Sequence, residues 1–331
     1  MTDKFYDNTR CSAMKGCPRK FYFRHRLHWT PDISGPALVF GSAWHNAMDV
    51  VWTLLAANPG RKTEEIAQAG FAAFLNKWEE EGMTPYGEMG PDEIAKLGAR
   101  HPGTAAEMLY SYIDIRRAMF QSKSFELISV EQPFAVPLDP NLPNLFYVGR
   151  IDKVFKYQGD ILVGEHKTTA MYSKAAGFRS SWIDSFSPNS QIDGYMYAAR
   201  MMYGDKVRAI WVDGALVHKT EHDVFKFIPI ERKWEQLDAW LWETRYWIDQ
   251  IEANDAILEH LNPDSSTPYL PAFPKNTGEC ATYSGCTYMD LCKAWANPLG
   301  KPLPGGFKEE KWSPFEVLEL AKIGLEGPKD E

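Results

Sequence analysis

The stretch Gly149–Thr168, GRIDKVFKYQGDILVGEHKT, constrains the fold of this chain more than any other part of its sequence. Two runs rich in β-branched and aromatic residues flank the pair Gln158-Gly159, and this pattern predicts a β-hairpin with a two-residue turn. In that register Tyr157 faces Asp160, and every further pair follows from this one. The turn therefore fixes which side chains of the two strands face each other.

The predicted register brings charged side chains together. Asp152 lies directly opposite Glu165, and Lys167 shares their face because strand side chains alternate. Like charges opposed across a ladder are destabilising, so two carboxylates beside valine and isoleucine need a partner, and a divalent cation is a natural one. An acid–acid–lysine cluster of this kind suits metal-dependent hydrolysis of phosphodiesters. The alternative is an exposed hairpin with ordinary surface charges.

Composition is typical of a globular chain with a substantial core. The 331 residues are 44% hydrophobic and 14% aromatic, and this length suits two domains or one large domain with insertions. No apolar run reaches the length of a membrane span, and the polar N-terminus lacks the apolar centre of a signal peptide. We therefore expect a cytoplasmic protein with no membrane partner. A net charge of -8 argues against binding nucleic acid through bulk charge, although a local basic groove is compatible with it.

Positive charge is concentrated in residues 9–31. This segment has six lysines and arginines, two histidines and no acid, and its centre, CPRKFYFRHRLHW, interleaves cations with aromatic residues. Such interleaving suits stacking on bases and contacts with phosphates, so we expect the segment to contact nucleic acid. The alternative is an amphipathic surface helix.

The segment 38–57, LVFGSAWHNAMDVVWTLLAA, predicts a helix with one buried stripe, because its apolar residues recur at helical spacing. His45 and Asp49 stand one turn apart at the edge of that stripe. A neutral imidazole is a common metal ligand, but a single histidine beside a core face is more often a structural residue. His45 becomes a candidate ligand only in combination with the two carboxylates.

If His45, Asp152 and Glu165 converge, they form a hard, mostly oxygen site suited to Mg²⁺ or Mn²⁺, and the imidazole modestly favours Mn²⁺. The backbone carbonyl of His166 could supply another ligand oxygen. A metal there would lower the pKa of its water and neutralise charge growing on a phosphate. Lys167 would hold the attacking water or stabilise the transition state electrostatically.

The helix predicted for SQIDGYMYAARMMYG places Gln191 and Tyr195 four residues apart on one face. Both side chains would donate hydrogen bonds to the backbone of the nucleic-acid strand that is cut. The sequence contains no G-x-S-x-G elbow, no H-E-x-x-H and no Walker A loop. It therefore favours metal-dependent phosphodiester cleavage over a serine hydrolase, a zinc protease or an ATP-driven motor.

The five cysteines are unevenly placed. Cys11 and Cys17 lie near the start, and Cys280, Cys286 and Cys292 lie near the end with five residues in each gap. We expect no disulfides in a cytoplasmic chain, and the distribution suggests a site that ties the two ends together. Structural zinc sites usually take cysteine pairs roughly two to four residues apart, whereas iron–sulfur clusters accept varied spacings. We therefore favour a [4Fe–4S] cluster over zinc, with unligated buried thiols as the alternative.

The rest of the chain predicts alternating helices and strands. Further helices are expected at residues 62–81, 105–122 and 231–261, and strands at LISVEQPFAV, VRAIWVDGALV and DVFKFIPI. Loops are expected at MTPYGEMGPDE and at residues 170–188, and a short amphipathic helix from Ser313. Glu131 in the first strand is expected to be exposed, and the four tryptophans of the long helix to lie mostly in the core.

In chain order, His45, Glu131, GRIDKV, GEHKTT and QIDGY resemble the RecB-like branch of the PD-(D/E)XK nuclease superfamily. CPRKFYF and the terminal cysteine triplet are similar to its iron–sulfur subgroup, which includes the CRISPR-associated RecB-like exonucleases, the AddB nuclease domain, exonuclease V and phage nucleases. The resemblance runs from Cys17 to Cys292. It implies an α/β fold with a mixed central sheet flanked by helices, and a restriction-endonuclease-like core with a helical insertion.

The resemblance also implies roles for individual residues. The metal and catalytic site would comprise His45, Asp152, Glu165 and Lys167. The family's Q-x-x-x-Y helix would supply Gln191 and Tyr195. The cluster would join the N- and C-terminal segments through Cys17, Cys280, Cys286 and Cys292, which leaves Cys11 as a spare.

This resemblance predicts a metal-dependent DNA exonuclease that prefers single-stranded ends and leaves 5′-phosphates, with a helicase or a recombination or adaptation protein as a possible partner. The alternatives are a structure-specific endonuclease on the same fold and a non-catalytic nucleic-acid-binding adaptor. The predicted division is a basic segment (1–37), a nuclease core (38–57 and 105–230), a helical insertion (58–104), a C-terminal helix with the cysteine segment (231–298) and a tail (299–331).

Overall fold

A computed structural model of the protein describes residues 3–262, 267–282 and 285–314. The predicted amphipathic helix from Ser313 lies almost entirely outside these residues. The chain divides into two compact units. We call residues 34–133 and 150–233 the hairpin unit, and residues 1–33, 134–149 and 234–331 the cysteine unit. The division predicted from sequence follows different boundaries and stays a prediction.

Helices and strands alternate along the described chain. The helices are α1 (Asn8–Gly16), α2 (Pro18–Phe21), α3 (Pro36–Ala57), α4 (Thr63–Glu80), α5 (Pro91–Leu97), α6 (Pro102–Gln121), α7 (Ser180–Asp184), α8 (Ser190–Tyr203), α9 (Trp234–Glu259) and α10 (Met289–Ala294). The strands are β1 (Lys4–Tyr6), β2 (Trp29–Pro31), β3 (Glu126–Pro137), β4 (Leu145–Tyr157), β5 (Asp160–Thr169), β6 (Tyr172–Ser173), β7 (Gly177–Phe178), β8 (Val207–Leu216), β9 (Phe225–Ile230) and β10 (Phe307–Glu309). A π-helical turn follows α2 at Tyr22–Arg26.

The central sheet is mixed. Its strands lie in the order β1-β4-β5-β8-β9, and β3 also pairs with β4. The β4–β5 and β8–β9 pairs are antiparallel, whereas β5 runs parallel to β8 and the start of β4 runs parallel to β1. In the hairpin unit α3 and α8 pack against β5. The predicted fold class, a mixed sheet flanked by helices, is confirmed.

The turn between β4 and β5 has the predicted length. Tyr157 pairs with Asp160, so that Gln158 and Gly159 alone form the loop. Both loop residues have positive φ, 53° and 94°, which a two-residue turn of this kind requires. Glycine adopts this conformation without a steric penalty, which explains its place in the loop.

The same register continues along the hairpin as far as Lys153 opposite Gly164. Asp152 and Glu165 are the next residues on each strand and lie one step past that last described pair. A Cβ at Gly164 would lie 3.2 Å from the Cβ of Lys153, so glycine leaves room for the stem of this lysine.

The helices of the hairpin unit enclose an apolar core. The stripe predicted on α3 is buried, including Trp44 and Trp52, and α3 packs against α4 and α6. The segment MTPYGEMGPDE is not wholly a loop, because α5 begins at Pro91. Proline suits the first turn of a helix, and the acids that follow it complement the helix N-terminus. The predicted loop 170–188 likewise contains β6, β7 and α7.

The aromatic residues of the basic segment are structural, which contradicts the predicted stacking on bases. Phe21, Tyr22 and Phe23 are at most 1% exposed. The Phe23 ring packs on Trp29 and Tyr288, with ring centroids 5.7 and 5.4 Å away. These rings are buried inside the cysteine unit and cannot receive bases in this arrangement.

Helix α9 differs from the prediction of a mostly buried tryptophan helix. Trp240 is buried, but Trp242 is 69% exposed and Trp234 is 39% exposed. Trp247 is partly buried. Helical spacing predicted the element correctly and the burial of its aromatic residues wrongly. Within the described residues, no helix combines the length and the hydropathy needed to cross a membrane.

Candidate active site

Asp152 on β4 lies between α3 and β5. Its Oδ2 is 3.1 Å from Nδ1 of His45 and accepts a 2.8 Å hydrogen bond from the backbone N–H of His166. Burial alone would raise the pKa of the carboxyl, but the charge and hydrogen bond of His45 and the charge of Lys153 outweigh it, so the pKa is far below its ordinary value. Asp152 is therefore an ionised carboxylate.

Glu165 on β5 is 1% exposed, and the described residues form hydrogen bonds to one of its two carboxylate oxygens. Its Oε1 lies 2.5 Å from Nζ of Lys167 and accepts a 3.2 Å hydrogen bond from Nε2 of Gln191. Its Oε2 is buried without a hydrogen-bond partner among the described residues. Burial and the negative charge of Asp152 raise the pKa of Glu165. A cation bound at Oε2 would supply the partner that this oxygen lacks among the described residues.

Gln191 on α8 links the lysine and the tyrosine of the predicted site. Nζ of Lys167 donates to its Oε1 over 3.0 Å, and its Nε2 donates to the Tyr195 hydroxyl over 3.2 Å. The side-chain cap of Asn189, which accepts from the first backbone N–H groups of α8, fixes the start of this helix. The structure therefore brings together the six side chains singled out from the sequence: His45, Asp152, Glu165, Lys167, Gln191 and Tyr195.

A second, fully buried lysine supports the site, and its contact could not be read from the sequence. Lys153 is 0% exposed, and its ammonium forms an ion pair with Asp49 on α3. Asp49 follows His45 by one helical turn, so this pair joins α3 to β4 beside the contact of His45 with Asp152. A signal was present, because a lysine between apolar strand residues needs a partner, but the sequence did not identify which acid provides it.

The His166 side chain is part of the support beneath the site. Its ring is 1% exposed and packs edge-on against Trp52, with Asp213 3.6 Å from Nδ1. Burial, and then the charge of Lys153, lower the pKa of the imidazole well below its ordinary value, so the ring is neutral. The predicted ligand atom of His166 is its backbone carbonyl, and this role stays a prediction.

The site opens into a cleft of about 540 Å³ lined by residues of the hairpin unit. Glu131, predicted as an exposed strand residue, is instead partly buried in the wall of this cleft and forms an ion pair with Arg150. Burial and the charges of Asp49 and Asp152 raise the pKa of Glu131 to about 7. The cleft is thus acidic at its base and carries basic side chains on its walls.

The donor set fits a divalent cation. Two buried acids and an imidazole are hard donors of the kind that Mg²⁺ and Mn²⁺ take, and the unpartnered Oε2 of Glu165 marks a position where positive charge is missing. Among the described residues, no group of three or more His, Cys, Asp or Glu side chains is already arranged to hold a metal ion. Metal binding therefore requires the side chains to rearrange, or further ligands from water, the backbone or substrate.

The cysteines gather in the cysteine unit, and all five are free thiols. Cys17, Cys280 and Cys286 line one cavity of about 250 Å³. Sγ of Cys17 accepts a 3.3 Å hydrogen bond from the backbone N–H of Asn276. Burial raises the pKa of Cys292, and the neighbouring thiols of Cys17 and Cys286 contribute to this shift. Cys17, Cys280 and Cys286 are therefore neighbours, and Cys292 is close enough for the charges of Cys17 and Cys286 to affect it, although the described cysteines do not form a ready metal site.

Cys11, the predicted spare, does not line this cavity. It is 2% exposed, and burial raises its pKa to about 12. It is therefore an inert, protonated thiol near neutral pH.

A family model for the PD-(D/E)XK nuclease superfamily matches residues 8–293, which is most of the chain. The matched range includes all of the candidate active-site residues and all five cysteines. A search of curated proteins finds no match.

Proposed function

Because the chain belongs to the PD-(D/E)XK nuclease superfamily, we propose that it is a metal-dependent DNA exonuclease that prefers single-stranded ends and leaves 5′-phosphates. One observation carries the proposal. Next to the ionised Asp152, a buried carboxylate oxygen of Glu165 has no hydrogen-bond partner in the described part of the chain, and a lysine ammonium lies against the same glutamate. This arrangement has the composition needed to bind a cation and to stabilise charge on a phosphate.

In this proposal His45, Asp152, Glu165 and the carbonyl of His166 hold Mg²⁺ or Mn²⁺. The bound ion would supply an activated water and neutralise charge on the scissile phosphate. His45 also holds the Asp152 carboxylate in place through its Nδ1. The backbone N–H of His166 fixes the same carboxylate from the other strand, so Asp152 is already oriented.

Lys167 is the proposed catalytic lysine. Its ammonium is anchored by Glu165 and Gln191, so its position is set before substrate arrives. A donor fixed in this way can stabilise the growing negative charge without reorganising during the reaction. Gln191 and Tyr195 would exchange their mutual hydrogen bond for contacts with the substrate backbone.

The deciding experiment is a nuclease assay with end-labelled linear and closed circular single-stranded DNA, with Mg²⁺ or Mn²⁺ and with EDTA as control. We expect digestion of linear single strands from an end, stronger with Mn²⁺ than with Mg²⁺, and none with EDTA. Cutting of closed circles would instead favour an endonuclease. Retention of DNA without cleavage under any metal would favour a non-catalytic adaptor.

We also propose that Cys17, Cys280, Cys286 and Cys292 hold a [4Fe–4S] cluster, with zinc as the alternative. The shared cavity supports this proposal, as does the N–H···S hydrogen bond to Cys17, a type of contact that tunes iron–sulfur clusters. Such a cluster would place the protein in the RecB-like iron–sulfur subgroup. A helicase or recombination protein as partner would follow from that placement.

Iron and acid-labile sulfide in anaerobically purified protein test the cluster. We expect about four of each per chain in the parent, loss of both in Cys17→Ala, and no loss in the matched control Cys11→Ala. Stoichiometric zinc without visible absorption would show that the site is a zinc site. Equal loss in both variants would show that the two buried cysteines act only through folding.

A further inference from the structure

Three lysine and arginine side chains line the cleft above the candidate active site: Lys77, Arg150 and Lys167. Two of them are held by close partners. Lys77 lies 3.1 and 3.2 Å from two glutamates of its own helical segment, and Lys167 is held by Glu165 and Gln191. The ammonium of Lys77 is therefore paired within its own helical segment, and the proposed function already assigns Lys167 to the reaction centre.

Arg150 is held far more loosely. Its side chain is 41% exposed, and its one hydrogen bond in the described structure runs from Nη1 to Oε2 of Glu131 over 3.4 Å. A guanidinium carries five N–H donors in a planar fork that matches a phosphate. Most of the hydrogen-bonding capacity of Arg150 therefore remains for a ligand in the cleft.

The position of Arg150 relates it to the reaction centre. It precedes Asp152 by two residues on β4, so both side chains project from the same face of the strand. Their backbones are about 7 Å apart along the strand. This separation is of the same order as the step between successive phosphates of an extended nucleic-acid strand.

We propose that Arg150 binds the phosphate next to the one that is cleaved, and that Glu131 holds its guanidinium at the cleft wall until a substrate strand replaces the carboxylate. This inference rests on the proposed nuclease function. Arg150 is then a substrate-positioning residue, because it touches the strand one nucleotide away from the reacting atoms.

The chain contains a matched control. Lys156 on β4 and Glu126 on β3 form a second cross-strand ion pair, 2.9 Å long, between the same two strands. Lys156 is also about half exposed, at 48% of its side chain, but it does not line the cleft. Substituting it removes the same charge from the same strand without touching the proposed phosphate site.

Binding is measured first, by fluorescence anisotropy of a labelled single strand in EDTA, where no cleavage occurs. We expect Arg150→Gln to weaken binding about tenfold and to lower the slope of log affinity against log salt by roughly one. Lys156→Gln should change neither quantity. Glu131→Gln should bind at least as tightly as the parent, because the competing carboxylate charge is gone. Equal effects of the arginine and lysine substitutions, or weaker binding by Glu131→Gln, would overturn the proposal.

Cleavage then locates the contact. Strands with a single neutral methylphosphonate on either side of the scissile phosphate are compared with the unmodified strand. The parent should lose kcat/KM, mainly through KM, on one of the two modified strands, whereas Arg150→Gln should show no further loss there. Additive losses would mean that Arg150 contacts something else. If the parent cleaves nothing with any metal, the nuclease function fails, while the anisotropy result still decides whether Arg150 binds the strand.

Discussion

The two units each place a histidine among charged groups, and the pKa values of these histidines move in opposite directions. His25 in the cysteine unit has a pKa of about 3, because burial and then the charges of three arginines oppose protonation; these are Arg10, Arg24 and Arg26. Burial also acts against the protonation of His45 in the hairpin unit. There the charge and hydrogen bond of Asp152 outweigh burial and raise the pKa. Burial lowers the pKa at both histidines, and the neighbouring Asp152 reverses the direction at His45.

The units also differ in which of their charged groups are paired. In the cysteine unit Nε of Arg19 donates to the carbonyl of Phe273, and Arg26 pairs with Asp255. In the hairpin unit one oxygen of Glu165 stays without a partner among the described residues. Paired charges hold a fold together, whereas an unpaired oxygen of a buried carboxylate calls for an explanation, and the proposed cation would provide one. The aromatic residues of the basic segment therefore have a structural role, and the hairpin that carries Asp152 and Glu165 is the candidate for chemistry.

The largest expected effect is on catalysis. Lys167→Ala should lower the rate of DNA cleavage by about 1,000-fold, because a fixed donor for transition-state charge is lost. The control Lys156→Ala should cleave at the parental rate. Steady-state kinetics measure both, and circular dichroism confirms folding. A folded Lys167→Ala protein with the parental rate would refute the proposed catalytic role of Lys167.

The next largest effect is on the stability of the hairpin unit. Asp49→Ala should lower the free energy of unfolding by about 3 kcal/mol, because it leaves the buried Lys153 ammonium without its partner. The double variant Asp49→Ala/Lys153→Met should recover part of this loss, since both charges are gone. Urea unfolding in EDTA measures the free energy of unfolding of the parent, the single variant and the double variant. A double variant less stable than the single one would show that the ion pair is not the cause.

The lowered pKa of His25 in the cysteine unit predicts that the stability of the protein depends on pH. Between pH 6.5 and about 3 the unfolded chain binds a proton at His25 that the folded chain excludes. Stability from this group therefore falls as the pH falls, by up to about 1.4 kcal/mol per pH unit, and is unaffected above pH 6.5. His25→Leu should remove this part of the acid sensitivity in urea unfolding at pH 7.5, 6 and 5. Parallel profiles for parent and variant would contradict it.

His45 should give the opposite pH dependence of stability from His25. Its folded pKa is raised, so its ion pair with Asp152 contributes fully below pH 6.5 and is lost as the pH rises through the folded value. In EDTA, the stability difference between the parent and His45→Gln should therefore shrink from pH 6 to pH 9. A constant difference would mean that His45 acts only through packing.

The smallest expected effect concerns the ion pair between Arg26 and Asp255, whose side chains are 22% and 27% exposed. Asp255→Asn should cost about 1 kcal/mol or less, since water can solvate the arginine that remains. The comparison with Asp49→Ala measures how much burial matters for a single broken pair. If Asp255→Asn lowered the free energy of unfolding as much as Asp49→Ala, burial would not explain the difference between the two ion pairs.

Local sequence predicted those parts of the hairpin unit in which neighbouring residues carry the information. The pair Gln158-Gly159 predicted the turn, and alternation from it predicted the pairing as far as Lys153. The buried stripe of α3 and the helix carrying Gln191 followed from helical spacing in the same way. Membership of the nuclease superfamily followed from the order of these short motifs and is confirmed by the family match.

Contacts between distant residues could not be predicted. Lys153 meets Asp49 across 104 positions, and local patterns do not specify such a partner. The burial of Phe21 to Phe23 depends on Phe273 and Tyr288, near the other end of the chain. Glu131 has a φ of 51°, which is a local distortion of β3 that the strand pattern does not predict. The roles of the cysteines and of the site residues also depend on residues that are distant in the sequence, and these roles stay proposals.

The two-residue loop between β4 and β5 has a consequence for how this protein can vary. Strand side chains alternate, so inserting one residue between Gln158 and Gly159 would exchange odd and even positions along the whole of β5 relative to β4. Gly164 or His166, depending on which two residues form the new turn, would then lie opposite Asp152 in place of Glu165, and the acid would point to the other face of the sheet. The chemistry of the protein thus depends on the parity of a residue count, and loop changes that preserve it must come in steps of two or be corrected by a bulge.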